Sequence, residues 1–115
     1  MVVDDLEDMR LMLRLRLTMS GIDVVAEAAD GRQAIEVARD VRPDGILLDV
    51  MMPVMSGLDA LPTLRQSLPE ARIVLYTAGD VSALHEAAEE GGATALLSKS
   101  VGPDALIAVL RNGGA

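Results

Sequence analysis

Apolar runs and amphipathic segments alternate along the chain. The runs predicted as strands are residues 1–3, 23–28, 45–48, 72–76 and 94–97. After each of them, apolar residues recur at helical spacing, over about residues 7–19, 32–41, 57–68, 80–90 and 103–111. The run 45–48 does not alternate with polar residues, which is typical of a strand buried on both faces. Repeated strand–helix units of this kind predict one parallel sheet covered by helices on both sides.

Glycine, proline and small polar residues predict where these elements end. Ser20-Gly21 ends the first helix, Arg42-Pro43 stops the second, and Asn112-Gly113-Gly114 ends the last. Asp30-Gly31 is typical of a turn before the second helix. Pro62 lacks an N–H that the third helix needs, so we expect it to shift or bend the first turn.

Composition describes how the core is built and excludes several kinds of site. The chain has 115 residues and half of them are apolar, which suits one domain with its own core. Tyr76 is the only aromatic residue, so a base-stacking surface for single-stranded nucleic acid is not expected. A net charge of -8 also argues against broad contact with a phosphate backbone. Absence of cysteine and a single histidine exclude disulfides, thiol catalysis and a multi-histidine metal site.

Nothing in the sequence indicates a membrane segment. The longest apolar stretch, residues 45–55, is too short to cross a bilayer and contains Asp49. The acidic first residues do not resemble a signal peptide. A cytoplasmic location is therefore the expectation.

Polar residues follow four of the predicted strands at the point where each strand ends. They are Asp4 and Asp5, Asp49, Thr77 and Lys99. The carboxyl ends of the strands in an open parallel sheet are where ligands bind. Two ionised carboxylates ~5 Å apart repel by roughly 3 kcal/mol at an effective dielectric constant of ~20. Lys99, a hard divalent cation such as Mg²⁺ or Mn²⁺, or protonation of one aspartate would offset that repulsion.

Each of these residues also has an ordinary structural explanation when taken alone. An Asp-Asp pair before a helix is typical of capping, and Asp49 fits a strand-end turn. Thr77 fits a residue flanking a helix, and Lys99 fits a solvated surface lysine. However, Lys99 is the only lysine among ten basic residues. The ordinary explanations do not account for all of these groups at corresponding strand ends, so together they favour a functional site.

This pattern resembles the receiver domain of two-component response regulators over essentially the whole chain. The resemblance is carried by Val2-Val3-Asp4-Asp5, residues 47–53 with Ser56-Gly57, Thr77-Ala78 and Lys99. It implies a flavodoxin-like, doubly wound α/β fold with five parallel strands in the order 2-1-3-4-5 and five helices. It also implies that residues 1–115 form a single receiver domain.

The resemblance implies a chemical role for the strand-end residues. Asp49 would be the phosphoacceptor, taking a phosphoryl group from the phosphohistidine of a histidine kinase. Thr77 and Lys99 would contact the phosphoryl oxygens. Such a domain catalyses only its own phosphorylation and dephosphorylation, and it signals through the face formed by its fourth helix, fifth strand and fifth helix.

The resemblance also implies a Mg²⁺ (or Mn²⁺) site. Asp5 and Asp49 would bind the ion directly, together with the backbone carbonyl of Met51. Asp4 would assist, often through water.

Some positions depart from the family's usual pattern. Leu96 stands where the family usually has an aromatic switch residue, and Ser100 stands where proline often follows the lysine. Lys99-Ser100 resembles receivers whose regulators carry a helix-turn-helix DNA-binding output domain. We therefore expect a receiver from a longer transcriptional regulator, which would contact DNA only through an output domain absent from this chain. The first and last helices, if adjacent, offer a surface for a homodimer.

Other readings of the sequence remain open. A pseudo-receiver, which keeps the fold but binds partners without phosphorylation, is the main alternative. An aspartyl-phosphate phosphatase of the haloacid-dehalogenase type resembles Asp-x-Asp at the nucleophile, where this chain has Met51 as the second residue. A flavodoxin-like cofactor binder would need a phosphate-binding loop after the first strand, and none is evident there.

Overall fold

The computed structural model describes residues 1–112, which form one five-stranded parallel sheet covered by helices. The strands are β1 (Val2–Val3), β2 (Glu27–Ala28), β3 (Gly45–Asp49), β4 (Arg72–Thr77) and β5 (Ala95–Ser98). The α-helices are α1 (Glu7–Met19), α2 (Gly31–Val41), α3 (Gly57–Ser67), α4 (Val81–Gly91) and α5 (Pro103–Asn112). A short 3₁₀ helix, Lys99–Val101, follows β5. The strand order is β2-β1-β3-β4-β5, so the predicted fold class and order are confirmed.

The sheet separates two apolar cores, one on each face. Helices α1 and α5 cover one face, where Leu13, Leu17 and Leu106 pack against Leu47 and Tyr76. Helices α2, α3 and α4 cover the other face, where residues such as Ala34, Leu61 and Ala88 are buried. Strands β3 and β4 supply apolar residues to both cores, which explains why their sequences do not alternate.

The predicted second strand is much shorter in the structure. The sequence pattern predicts a strand over residues 23–28, but only Glu27–Ala28 pairs. β2 lies at the sheet edge and its one neighbour, β1, is two residues long. Backbone hydrogen bonds join Val2 and Asp4 to the carbonyls of Ala26 and Ala28. Hydrogen-bonded pairing can extend only as far as the neighbouring strand does. A strand-like sequence over residues 23–28 was therefore not enough to form a longer β2.

Asp30-Gly31 begins a helix rather than forming a separate turn. The Asp30 carboxylate caps α2 by accepting the Gln33 N–H at 2.9 Å. A Cβ on Gly31 would lie 2.7 Å from the Met55 carbonyl oxygen. Glycine is therefore required here because α2 passes close to the loop after β3.

The third helix begins at Gly57, where the sequence predicts, so its first turn is not shifted, while the bend that Pro62 was also expected to cause stays a prediction. Ser56 caps α3 by accepting the Asp59 N–H at 3.1 Å. Pro62 lies in the helix interior on its exposed side, and its missing N–H leaves the Leu58 carbonyl without its usual helical donor. The sequence predicts that Asn112-Gly113-Gly114 ends α5. Asn112 is the last helical residue that the structure describes, and Gly113-Gly114 lies outside the described residues.

Helices α1 and α5 lie side by side, as the homodimer hypothesis requires. Arg16 of α1 contacts Asp104 of α5 at 3.3 Å, and the Arg111 guanidinium donates to the Ser20 carbonyl. Dimerisation itself stays a prediction. Across residues 1–112, every helix is too short or too polar to cross a membrane.

Candidate functional site

Three carboxylates converge at the carboxyl edge of the sheet, after β1 and β3. Val3 pairs with Leu48, so the residues that follow them, Asp4 and Asp49, lie side by side. Asp5 comes next, at the exposed rim of the site. One oxygen from each of the three carboxylates lies within 4.8 Å of the others. The structure therefore brings together the three aspartates that the sequence analysis placed at strand ends.

Lys99 lies between two of these carboxylates. Its Nζ atom is 3.5 Å from Asp4 Oδ2 and 3.4 Å from Asp49 Oδ2. The 3₁₀ helix after β5 places the side chain there, and 23% of it is exposed. One ammonium group offsets only one of the three carboxylate charges. The predicted role of Lys99 as the local cation fits this geometry.

Tyr76 also belongs to the site, although the sequence analysis noted it only as the single aromatic residue. It pairs with Asp49 across β3 and β4, and it is fully buried. Its hydroxyl donates to Asp4 Oδ2 at 2.8 Å, and the Lys99 Nζ atom lies 5.3 Å from the centre of its ring. The sequence carries no clear signal for this role, because the alignment of Tyr76 with Asp49 depends on the register between β3 and β4.

The hydroxyl of Tyr76 remains a hydrogen-bond donor. Burial raises its pKa far above the ordinary value, and the neighbouring Asp4 carboxylate raises it further. The hydroxyl therefore keeps its proton at neutral pH and donates it to Asp4.

Asp4 is held on every side. Its Oδ1 atom accepts the Leu6 N–H at 2.9 Å, and its Oδ2 atom accepts the Tyr76 hydroxyl. Its backbone carbonyl accepts from the Arg10 guanidinium at 2.7 Å. The carboxylate is 0% exposed, so these protein groups replace the water that an aspartate normally has.

The pKa of Asp49 is higher than that of an ordinary aspartate. The pKa is raised from 3.8 to about 6, chiefly by burial and further by the negative charge of Asp4. The Lys99 ammonium acts in the opposite direction, as does the Met51 N–H, which donates to Asp49 Oδ1 at 3.3 Å. The carboxylate is therefore ionised and nucleophilic at neutral pH but becomes protonated at mildly acidic pH.

Thr77 and Met51 lie at the same edge of the sheet. Thr77 is buried at the end of β4, and its hydroxyl accepts the Gly79 N–H at 2.9 Å. It pairs with Ser98, the residue before Lys99. Met51 points its side chain outward, with 65% exposed, while its amide faces Asp49. The contact of Thr77 with a phosphoryl group stays a prediction. The binding of a metal by the Met51 carbonyl also stays a prediction.

The loop after β3 is folded tightly against the site. The Gly57 N–H donates to the Val50 carbonyl at 2.9 Å, which closes the loop. Val54, at the exposed tip, has a φ of 68°, a left-handed conformation that is strained for a β-branched residue. Closure of this loop fixes the backbone on either side of Asp49.

The chemistry of these groups fits a hard divalent cation. Carboxylate oxygens are the ligands that Mg²⁺ and Mn²⁺ prefer, and three of them meet here. Asp5 is exposed, which leaves the cluster open to solvent on one side. The cluster also lacks the nitrogen and sulfur ligands typical of structural zinc sites.

The sequence of this chain is similar to those of known proteins. The model of the response regulator receiver domain family matches residues 1–111. The chemotaxis protein CheY of Thermotoga maritima is 33% identical over 96% of this chain and 92% of CheY. The nitrate/nitrite response regulator protein NarP of Escherichia coli is 41% identical over 98% of this chain and 53% of NarP. This chain therefore spans nearly all of CheY but about half of NarP.

A solved structure shows the same architecture. A response regulator from Burkholderia pseudomallei, crystallised with a phosphorylated aspartic acid, a calcium ion and citrate, superposes with a TM-score of 0.89. It is 26% identical, over 98% of this chain and 66% of that one.

Proposed function

The chain belongs to the response regulator receiver domains, and from that membership we propose that Asp49 is its phosphoacceptor. The observation that carries the proposal is the position of Lys99 between Asp49 and Asp4, with Asp5 beside them. The phosphoryl donor is a histidine kinase, and the whole of residues 1–115 acts as one receiver domain. The domain catalyses only its own phosphorylation and dephosphorylation.

The transfer needs a positioned nucleophile and a cationic environment for the phosphoryl charge. An Asp49 carboxylate oxygen attacks phosphorus, the O–P bond forms as the P–N bond to histidine breaks, and the imidazole leaves with the electron pair. Lys99, 3.4 Å from Asp49, is close enough to follow the charge onto the phosphoryl oxygens. Thr77, at the neighbouring strand end, offers its hydroxyl as a donor once the loop after β4 rearranges.

Asp5, Asp49 and the Met51 carbonyl would hold Mg²⁺ or Mn²⁺ directly, and Asp4 would support the ion through water. When bound, the ion neutralises charge on the carboxylates and on the transferring group. Both oxygens of Asp4 already accept hydrogen bonds, which supports an indirect role for this residue.

Intact mass measured after incubation with acetyl phosphate and Mg²⁺ tests the proposal. We expect the native chain to gain about 80 Da, the mass of one phosphoryl group in an acyl phosphate. The gain should disappear with EDTA and in Asp49→Asn, which retains the size of the side chain but not its nucleophilic charge. A folded native protein that gains no mass with any divalent metal would instead be a pseudo-receiver. A gain that persists in Asp49→Asn would place the phosphoacceptor elsewhere.

The phosphoryl group on Asp49 is expected to be long-lived. The residue two positions after Asp49 is Met51, and the residue two positions after Thr77 is Gly79. Neither side chain can orient a water molecule for attack on phosphorus. Met51→Asn introduces an amide at an exposed position beside the site, and we expect it to shorten the half-life by about tenfold, less than the ~10²–10⁴-fold that a positioned general acid or base contributes. Loss of the added mass with time measures this, and Met51→Leu is the matched control.

We further propose that this receiver controls transcription through a helix-turn-helix output domain. The Lys99-Ser100 pair and the likeness to NarP support this. Phosphorylation would change the surface of α4, β5 and α5, because Thr77 and Lys99 lie at the starts of the segments that lead into it.

A further inference from the structure

The single tyrosine of the chain connects the apolar core under α1 and α5 to the carboxylate cluster. We propose that Tyr76 is a positioning residue for phosphoryl transfer, whose hydroxyl holds Asp4 in place and thereby leaves Lys99 free to move to the phosphoryl group. This inference rests on the proposed function of Asp49 as the phosphoacceptor. It assigns Tyr76 no contact with the phosphoryl group itself.

Tyr76 and Lys99 share one acceptor. The Asp4 Oδ2 atom lies 2.8 Å from the Tyr76 hydroxyl, an ordinary short hydrogen bond, but 3.5 Å from Lys99 Nζ. Lys99 is almost equally far from Asp49, at 3.4 Å. Both lysine distances exceed the 2.7–2.9 Å range that is typical of a charge-assisted hydrogen bond. Lys99 is thus placed between two carboxylates without being tightly bonded to either one.

The hydroxyl matters because the Asp4 carboxylate is buried away from bulk water. The residue is 0% exposed, and a buried carboxylate oxygen must find donors within the protein. When Lys99 moves toward a phosphoryl group on Asp49, Asp4 keeps the Leu6 N–H on Oδ1 and the Tyr76 hydroxyl on Oδ2. Without the hydroxyl, Lys99 is the remaining donor to Oδ2, so it is drawn closer to Asp4 and away from Asp49.

The position of Tyr76 fits this role better than a role in packing alone. Its neighbours in the core under α1 and α5 are aliphatic, and the other buried residue of β4 on that face is Val74. Tyr76 aligns with Asp49 across β3 and β4, and its ring reaches across β3 to β1, where Asp4 lies. The hydroxyl also lies 3.4 Å from the Val3 carbonyl, so it is directed at the end of β1.

Tyr76→Phe tests the inference, because it removes the hydroxyl and keeps the ring. With phosphoramidate and saturating Mg²⁺, we expect the initial rate of phosphorylation to fall about fivefold, the factor that one ordinary hydrogen bond is worth. The same substitution in an Asp4→Asn background should change the rate by less than about 1.5-fold, because the charge that competes for Lys99 is gone. Circular dichroism verifies that each variant is folded.

Several outcomes would overturn the inference. One is a Tyr76→Phe rate equal to the native rate, and another is an equal loss with and without Asp4→Asn, which would indicate a packing role. If the native chain is phosphorylated in either case, the proposed function survives while this inference fails. A native chain that takes up no phosphoryl group overturns both.

A second measurement uses the native sequence and does not depend on the variants folding. Because Tyr76 is the only tyrosine, growth with 3-fluorotyrosine places one ¹⁹F nucleus in the site. Lys99 lies 5.3 Å from the ring centre, so its departure on phosphorylation should shift the ¹⁹F resonance. An unchanged resonance in the phosphorylated protein would show that Lys99 had not moved and would overturn the inference.

Discussion

Replacing Gly57 with alanine is expected to destabilise the protein by about 3 kcal/mol, a large part of the stability of a domain of this size. Gly57 is the first residue of α3, where alanine would ordinarily be the better helix former. The expected sign is therefore the opposite of the one that helix propensity predicts.

The reason is the contact between α3 and the end of β3. An alanine Cβ at position 57 would lie 2.0 Å from the Asp49 carbonyl oxygen and 2.9 Å from its carbonyl carbon. Both are backbone atoms of a central strand, and the Gly57 N–H is already bonded to the Val50 carbonyl. Neither side can yield without breaking the loop closure or displacing the strand that carries Asp49, the proposed phosphoacceptor.

Urea unfolding of both proteins measures the change in the free energy of unfolding. Gly79→Ala is the matched control, since its Cβ would come no closer than 3.3 Å, to the Thr77 hydroxyl. We expect the control to change stability by less than about 1 kcal/mol. A Gly57→Ala variant as stable as the native chain would contradict the packing described here. Any folded fraction of it should also be phosphorylated more slowly, because Asp49 is displaced.

Replacing Asp49 with asparagine is expected to stabilise the metal-free protein at pH 7 by roughly 3 kcal/mol. Asp49 is 1% exposed and lies next to Asp4, and the pKa of Asp49 rises from 3.8 to about 6. The amide of asparagine removes the charge that is costly to bury, and its oxygen can still accept the Met51 N–H. Loss of function and gain of stability would then occur in one substitution.

The pH dependence fixes the sign of this effect. The pKa of Asp49 is higher in the folded than in the unfolded chain, so between about pH 4 and pH 6 the folded chain binds the extra proton. The stability of the native protein due to this group therefore falls as the pH rises through that range. At pH 4, Asp49 is protonated in the folded state and the advantage of asparagine should largely disappear.

Chemical unfolding at pH 4 and pH 7 in EDTA checks this prediction. The quantity of interest is the difference between the variant and the native protein at each pH, because contributions from other groups cancel in it. Asp40→Asn, an exposed site on α2, removes the same charge and should change stability by less than about 0.5 kcal/mol. An Asp49→Asn variant less stable than the native chain at pH 7 would show that burying the Asp49 charge does not destabilise the folded protein.

The sequence predicts the elements better than it predicts their pairing. The central strands were evident because burial on both faces leaves a continuous apolar run, as in residues 45–48 and 72–76. Residues 23–28 have the composition of a strand but mostly lack a partner, since β1 is short. Likewise, the Asp30-Gly31 pattern indicated a turn, while its actual role as a helix cap depends on the course of α2.

The sequence also identified the polar groups that meet at this edge of the sheet but not the contacts among them. Asp4, Asp5, Asp49 and Lys99 were evident because a polar residue directly after an apolar strand lies at a known edge of a parallel sheet. By contrast, Tyr76 looks like any core residue, since its ring packs in an aliphatic core. Its role follows from a hydrogen bond to a residue more than seventy positions away in the chain.

The sequence by itself determined the α/β class, the order of its elements and which polar groups share one edge of the sheet. These follow from local periodicity and from where each apolar run stops. Only the tertiary structure decided that Lys99 lies between two carboxylates, that Tyr76 bonds to Asp4, and that Gly57 touches the Asp49 backbone. Those contacts depend on the register between strands and on helix packing, which join residues far apart in sequence. The raised pKa of Asp49 belongs to the same group, because it results from burial and from neighbours that only the folded chain supplies.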